Sequence, residues 1–174
     1  RIDELRASIL RVQLRKLPRI IAAMHSSKYR IRKALEEFPQ LRLRKIVDPQ
    51  GDTGSFLIST FDTPEVATQV NQALRAEGIV TASQGVNNVV MTNWGLHVYF
   101  NIPSLVNKTS VDKKGSPWKL SENGGSTASY HKGTCPMADS LFERSILLAI
   151  PSCLTDRDEE DIVHAFRKVL GRQA

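Results

Sequence analysis

Cysteine is scarce in this sequence, with only Cys135 and Cys153 among 174 residues. Two are too few for a disulfide scaffold. The two stand 18 residues apart, which is no short metal-binding spacing. Reduced thiols fit a cytosolic protein, so a cytoplasmic location is expected. No apolar run reaches the roughly 18 residues that cross a bilayer, so no membrane partner is expected. No basic-then-apolar leader opens the chain, which starts at Arg1 and reads as a fragment or a processed product. A phosphate-cradling glycine loop is also missing. Gly124-Gly125 lacks the following lysine and the strand-to-helix context such a loop needs. There is no nucleophile elbow and no internal repeat.

What is present is enough for a core. The chain is 41% apolar and 24% charged, which excludes wholesale disorder. At this length about 70% of the unfolded surface can be buried. The net charge of +6 is uneven. Residues 1–35 hold ten basic and two acidic side chains, a balance of +8, so the remainder sums to −2. A basic helix invites a nucleic-acid reading. Only Tyr29 interleaves aromatic character there, so a solvated face or an acidic partner is preferred and nucleic acid is not.

The periodicity predicts an α/β domain. Residues 2–17 repeat apolar positions at spacings of three and four: Ile2, Leu5, Ile9 and Val12, flanked by Leu10, Leu14 and Leu17. Pro18 predicts a kink or restart before a second helical run to Leu35. Residues 41–47 alternate and predict a strand, paired antiparallel with a second at 55–61 across the Asp48-Pro49-Gln50-Gly51-Asp52 turn. Asp62-Thr63-Pro64-Glu65 predicts a helix start, and Gly78 its stop. Ile79–Ala82 predicts a short strand, which would complete a small sheet with helices on one side. Residues 84–134 are weakly patterned. Then follow a short helix at 137–144, a strand at 146–150 and a last helix after Thr155 with acids in its first turn. The expected organisation is a long linking helix over 1–35, kinked near Pro18. An α+β domain follows over 36–174, with a flexible loop at about 101–134.

The residues alone show no complete active site. His97 and Cys135 form a conceivable dyad that nothing positions. Asp156, Asp158, Glu159 and Glu160 resemble a metal cluster, but helix-dipole bias explains them better, so no metal is expected. Trp94 and Tyr99 can stack on a ring, although such aromatics more often pack.

Two segments carry a resemblance. Arg1 to Ala7, continuing to Gln13-Leu14-Arg15-Lys16-Leu17, is similar to the helix after the cofactor lysine in DegT/DnrJ/StrS sugar aminotransferases. Cys135-Pro136-Met137-Ala138-Asp139 through Leu154-Thr155-Asp156 resembles that family's final segment. Asp48–Asp52 and Asn93-Trp94 look like the branch that aminates carbon 8 of an octulosonate. The chain departs from the pattern at Asp3, Arg6 and Pro18. The resemblance implies the C-terminal small domain of a fold type I transaminase, a homodimer of chains roughly twice this length. Such an enzyme moves an amino group from glutamate or glutamine to a keto-sugar or nucleotide-sugar. It implies pyridoxal 5'-phosphate held by a lysine upstream of Arg1, hence no catalytic residue here. It implies substrate contacts from His97, Trp94 and Asn93, and a contact of Arg1 with the partner subunit's active site. A standalone non-catalytic binding or regulatory module is the alternative. A nucleic-acid binder ranks third.

Overall fold

The computed structural model describes residues 2–80, 87–123 and 127–171. Helix α1 spans Glu4–Leu35 without a break. Asp3 caps it by accepting the Arg6 N–H at 2.8 Å. The expected restart at Pro18 does not occur. Proline removes one amide from the ladder, and here it does so where the helix is exposed, so water can take the carbonyl left over. Burial on α1 begins only at Ile20 and is complete at Ser27, Lys28, Ile31 and Leu35.

Four strands form one antiparallel sheet in the order β1-β2-β4-β3: β1 is Arg42–Leu43, β2 Phe56–Thr60, β3 Asn88–Val90 and β4 Ser145–Ala149. The first strand is much shorter than the alternation over 41–47 predicts. The third lies at 88–90, and residues 79 and 80 of the strand expected over 79–82 are not in strand geometry. Gly78, at φ +91°, turns the chain, and the Ile79 amide bonds back to the Leu74 carbonyl at 3.0 Å, which takes Ile79 out of strand geometry. Residues 81 and 82 lie outside the described residues.

Helices α2 (Pro64–Ala76) and α5 (Asp156–Leu170) begin where their caps predict. Thr63 accepts the Val66 N–H, and Thr155 forms a reciprocal capping box with Asp158. With α1 they cover one face of the sheet. Leu57, Ile146 and Leu148 of the sheet meet Ile31, Leu35, Val70, Leu74, Phe166 and Leu170 in the main core. Each such side chain contributes about 1.5–3 kcal/mol on burial. The opposite face is covered too, contrary to the one-sided expectation. Side chains alternate along a strand, so Phe56, Ile58 and Leu147 point away from the main core. They meet Met91, Trp94 and Phe142 in a second cluster. Phe142 belongs to α4, Pro136–Glu143. Between β3 and α4 the chain makes short 3-10 turns and helix α3, Pro103–Val106. No described helix is long and apolar enough to cross a membrane.

Candidate functional site

The second face carries the residues singled out from the sequence. The chain leaves β3 at Val90 and makes three successive 3-10 turns, Met91–Asn93, Gly95–His97 and Tyr99–Asn101. Gly95, at φ +53°, supplies a backbone conformation that side chains resist. The Asn101 side-chain amide donates to the Thr92 and Gly95 carbonyls at 2.9 and 3.1 Å and closes the segment on itself. Met91 and Val98 anchor it by burial.

Trp94 and His97 stack at the outer surface, their ring centroids 4.3 Å apart and their planes 23° from parallel. Phe56 of β2 supports Trp94 edge-on at 5.3 Å. Trp94 is half-buried, whereas His97 and Asn93 are exposed. The arrangement is a stacked pair with the exposed His97 ring on the face of the half-buried Trp94. Such a pair presents an outer imidazole face and ring nitrogens to a ligand that carries hydroxyls.

A clasp fixes the segment's far end. The Tyr99 hydroxyl donates to Asp139 Oδ2 at 3.0 Å, and the same oxygen accepts the Gly133 N–H at 2.6 Å. The Cys135 N–H donates to the Tyr99 oxygen at 3.3 Å. Burial, then the hydrogen bond to Asp139, raises the Tyr99 pKa, so it serves as a neutral donor. The stretch that leaves at Asn101 and returns by Gly133 is therefore tied at both ends. Tyr99 works as a strut here, not as a stacking surface for a ligand.

A second clasp joins α1 to the turn before β2. Asp48 Oδ1 accepts the Gln50 and Gly51 amides and forms the turn. His25 Nε2 donates to the Pro49 carbonyl at 2.8 Å, which sets its tautomer. Lys28 is 2% exposed and pairs with Asp52. Burial acts to raise the Asp52 pKa. Lys28, the Gly54 amide and Tyr29 together outweigh it and hold the carboxyl below its ordinary value. Arg30 forks onto Glu159 with two 2.6 Å bonds, and that hydrogen bond holds Glu159 low. Arg32 donates to the Arg44 carbonyl at 3.0 Å. Three of the cations of the basic stretch are thus spent inside the fold.

The one deeply buried lysine among the described residues, Lys28, is committed to Asp52. Among them, no group of three or more His, Cys, Asp or Glu gathers to hold a metal. Of the four acids singled out after Thr155, three are in use: Asp158 in the cap, Asp156 and Glu159 on Arg30.

The structure stacks Trp94 on His97, and Asn93, next to Trp94 in sequence, is exposed. Arg1 lies outside the described residues. Sequence reasoning missed Phe56, Asn101 and Asp139, which hold the stacked pair and its segment in place.

No family model matches the chain. Two of the solved structures that share its fold are aminotransferases. The aminotransferase TlmJ from Streptoalloteichus hindustanus has a TM-score of 0.62 at 20% identity, over 97% of this chain and 36% of that one. Spr1654 from Streptococcus pneumoniae, assigned as a sugar aminotransferase and solved in its apo form, gives 0.60 at 18%, over 92% and 33%. The chain thus spans about a third of the length of each aminotransferase it is similar to. At these identities the likeness establishes the fold: this chain folds as a part of an aminotransferase folds.

Proposed function

We propose that the chain is the C-terminal, smaller domain of a pyridoxal-phosphate-dependent sugar aminotransferase of the DegT/DnrJ/StrS type, working as a homodimer. In this reading the parent transfers an amino group from glutamate or glutamine to a keto-sugar. The cofactor and its lysine, in this reading, belong to the rest of the parent, as the family resemblance implies. The observation that carries the reading is the exposed Trp94–His97 stack on a fold shared with two aminotransferases. Trp94, one of whose faces His97 occupies, meets a pyranose at its remaining exposed surface, and His97 and Asn93 hydrogen-bond its hydroxyls. Arg1 reaches the partner subunit. The octulosonate branch, resting on Asp48–Asp52 and Asn93-Trp94, is the sugar class to try first.

The test is amino transfer by the parent polypeptide, assayed with each donor against a panel of keto-sugars. Losing one hydrogen bond costs about 0.5–1.5 kcal/mol, so His97→Ala raises KM for the keto-sugar by about 2- to 10-fold and leaves KM for the donor unchanged. No transfer from either donor to any keto-sugar overturns the reading. A parent without a covalently reducible cofactor would leave the non-catalytic module in its place.

A further inference from the structure

A groove opens on the main-core layer of the molecule, the layer opposite the Trp94–His97 stack. It is walled by the turn after α2, by the end of β4 and by one side of α5. Its volume is about 670 Å³, within the roughly 300–1,000 Å³ of small-molecule sites. Leu148, Ile162 and Ala165 reach it from the main core, so its floor is apolar. Ile79 and Leu154 beside them are half-buried, and Val80 is 39% exposed. These side chains leave apolar surface for a ligand to cover.

The charge around the groove says what kind of ligand fits. Among the described residues that line it none is lysine or arginine, in a chain whose net charge is +6. Three of them carry carboxylates, Glu77, Asp158 and Asp161, and His164 is the one other titratable side chain. Lys168 reaches Glu77 at 2.5 Å, and Asp158 is engaged in the Thr155 cap. Asp161 is freer. Its partner Arg157 stands 3.9 Å away, and the two side chains are 69% and 90% exposed. Such exposed pairs contribute little, so a ligand cation can take the place of Arg157. The helix dipoles agree. Helix α2 turns its negative end to the groove at Glu77 and Gly78. The positive end of α5 is already met by the acids of its own first turn. An anion here would face three carboxylates, and an uncharged apolar ligand would leave the rim unused.

We propose that this groove binds a small primary ammonium with an apolar body. The hydrocarbon lies on Leu148, Leu154, Ile162 and Ala165, and the ammonium sits at the rim beside Asp161 and the negative end of α2. No lining residue belongs to the segment that carries Trp94 and His97, so the site is independent of the amino transfer proposed above.

Calorimetric titration of the polypeptide as its source makes it decides the matter. It is done at about pH 8, above the ordinary histidine range and below that of an alkylammonium. Three probes of similar length are compared: 4-phenylbutylammonium, 4-phenylbutanol and 4-phenylbutyrate. The ammonium should bind saturably, with a Kd of about 1–10 mM, the range for a ligand this small. The alcohol should bind at least about 3-fold more weakly, and the carboxylate at least about 10-fold. Asp161→Lys should weaken the ammonium at least about 10-fold. Glu160→Lys makes the same change of charge on α5 outside the groove and should alter its Kd less than about 2-fold. Both positions are exposed, and unchanged thermal midpoints would confirm that folding is retained. Hydrogen exchange with the ammonium at saturation should slow at 77–80 and 148–165. Four results overturn the proposal. They are no saturable binding of the ammonium, equal affinity for the alcohol, equal losses from the two lysine variants, and slowed exchange elsewhere but not in those segments.

Discussion

Lys28 and Asp52 show how one buried pair organises its surroundings. Lys28 is 2% exposed, whereas the Asp52 side chain keeps 13%. The two partners are therefore unequal. Asp52→Asn strands a buried ammonium and should cost about 3–5 kcal/mol, in the range for breaking a buried pair. Lys28→Met leaves a carboxylate that can reach water and should cost less. Chemical denaturation of both variants checks the order; equal losses would mean that packing, not charge, dominates there. The same carboxylates set the acid limit. Asp52 and Glu159 both have folded-state pKa values below their unfolded ones. Such groups stabilise the fold above the unfolded value and lose that contribution as pH falls through the folded value. Stability should be flat at neutral pH and fall below about pH 4.5. Glu159→Gln should lower the plateau and flatten that fall, which a pH series of denaturation midpoints would reveal.

Elements with chemical boundary marks were legible, and elements made by tertiary contact were not. Thr63-Pro64 and Thr155 with Asp158 announce α2 and α5, because a cap is a local transaction among four residues. Thr155→Ala should accordingly cost about 1 kcal/mol. Strand β3 gave no such mark. Its Asn88 is fully buried, accepting from Asn71 at 2.7 Å and donating to the Ile79 carbonyl at 2.9 Å. A polar residue inside a strand hides the alternation on which sequence reading depends. The alternation at 41–47 misled for the opposite reason: it continues past Leu43, but the chain leaves the sheet so that its turn can dock on α1. Of the candidate surface, Trp94 and His97 were legible as aromatic and polar rings. The Phe56 support and the Asp139 clasp were not, since each joins residues about 40 apart in sequence. Gly54 tests the docking of that turn. It sits at φ +77°, and a Cβ there would lie 2.4 Å from the His25 backbone nitrogen. Gly54→Ala should therefore destabilise by several times the roughly 1 kcal/mol of an ordinary glycine substitution, and hydrogen exchange should show the turn before β2 released from α1.

The sheet divides the molecule into two layers of unequal strength, and the candidate site lies on the weaker one. Among the described residues, seventeen buried apolar side chains form the core under α1, α2 and α5, against three in the cluster under the 3-10 segment. Phe166, 1% exposed, belongs to the first. Phe166→Ala should cost about 3–5 kcal/mol, a large share of the 5–15 kcal/mol typical of a whole domain. Trp94 belongs to the edge of the second and is only half-buried, so Trp94→Ala should lower the global midpoint far less. Its effect should be local. Amides of residues 95–102 should exchange faster, while those of β2 and β4, whose ladder both layers share, should keep their protection. A Trp94→Ala midpoint loss as large as that of Phe166→Ala would show instead that the two layers unfold as one. If they separate, the ring pair can shift to fit a ligand without straining the main core. The energy of that adjustment is then set by three buried side chains and one clasp, not by the stability of the fold.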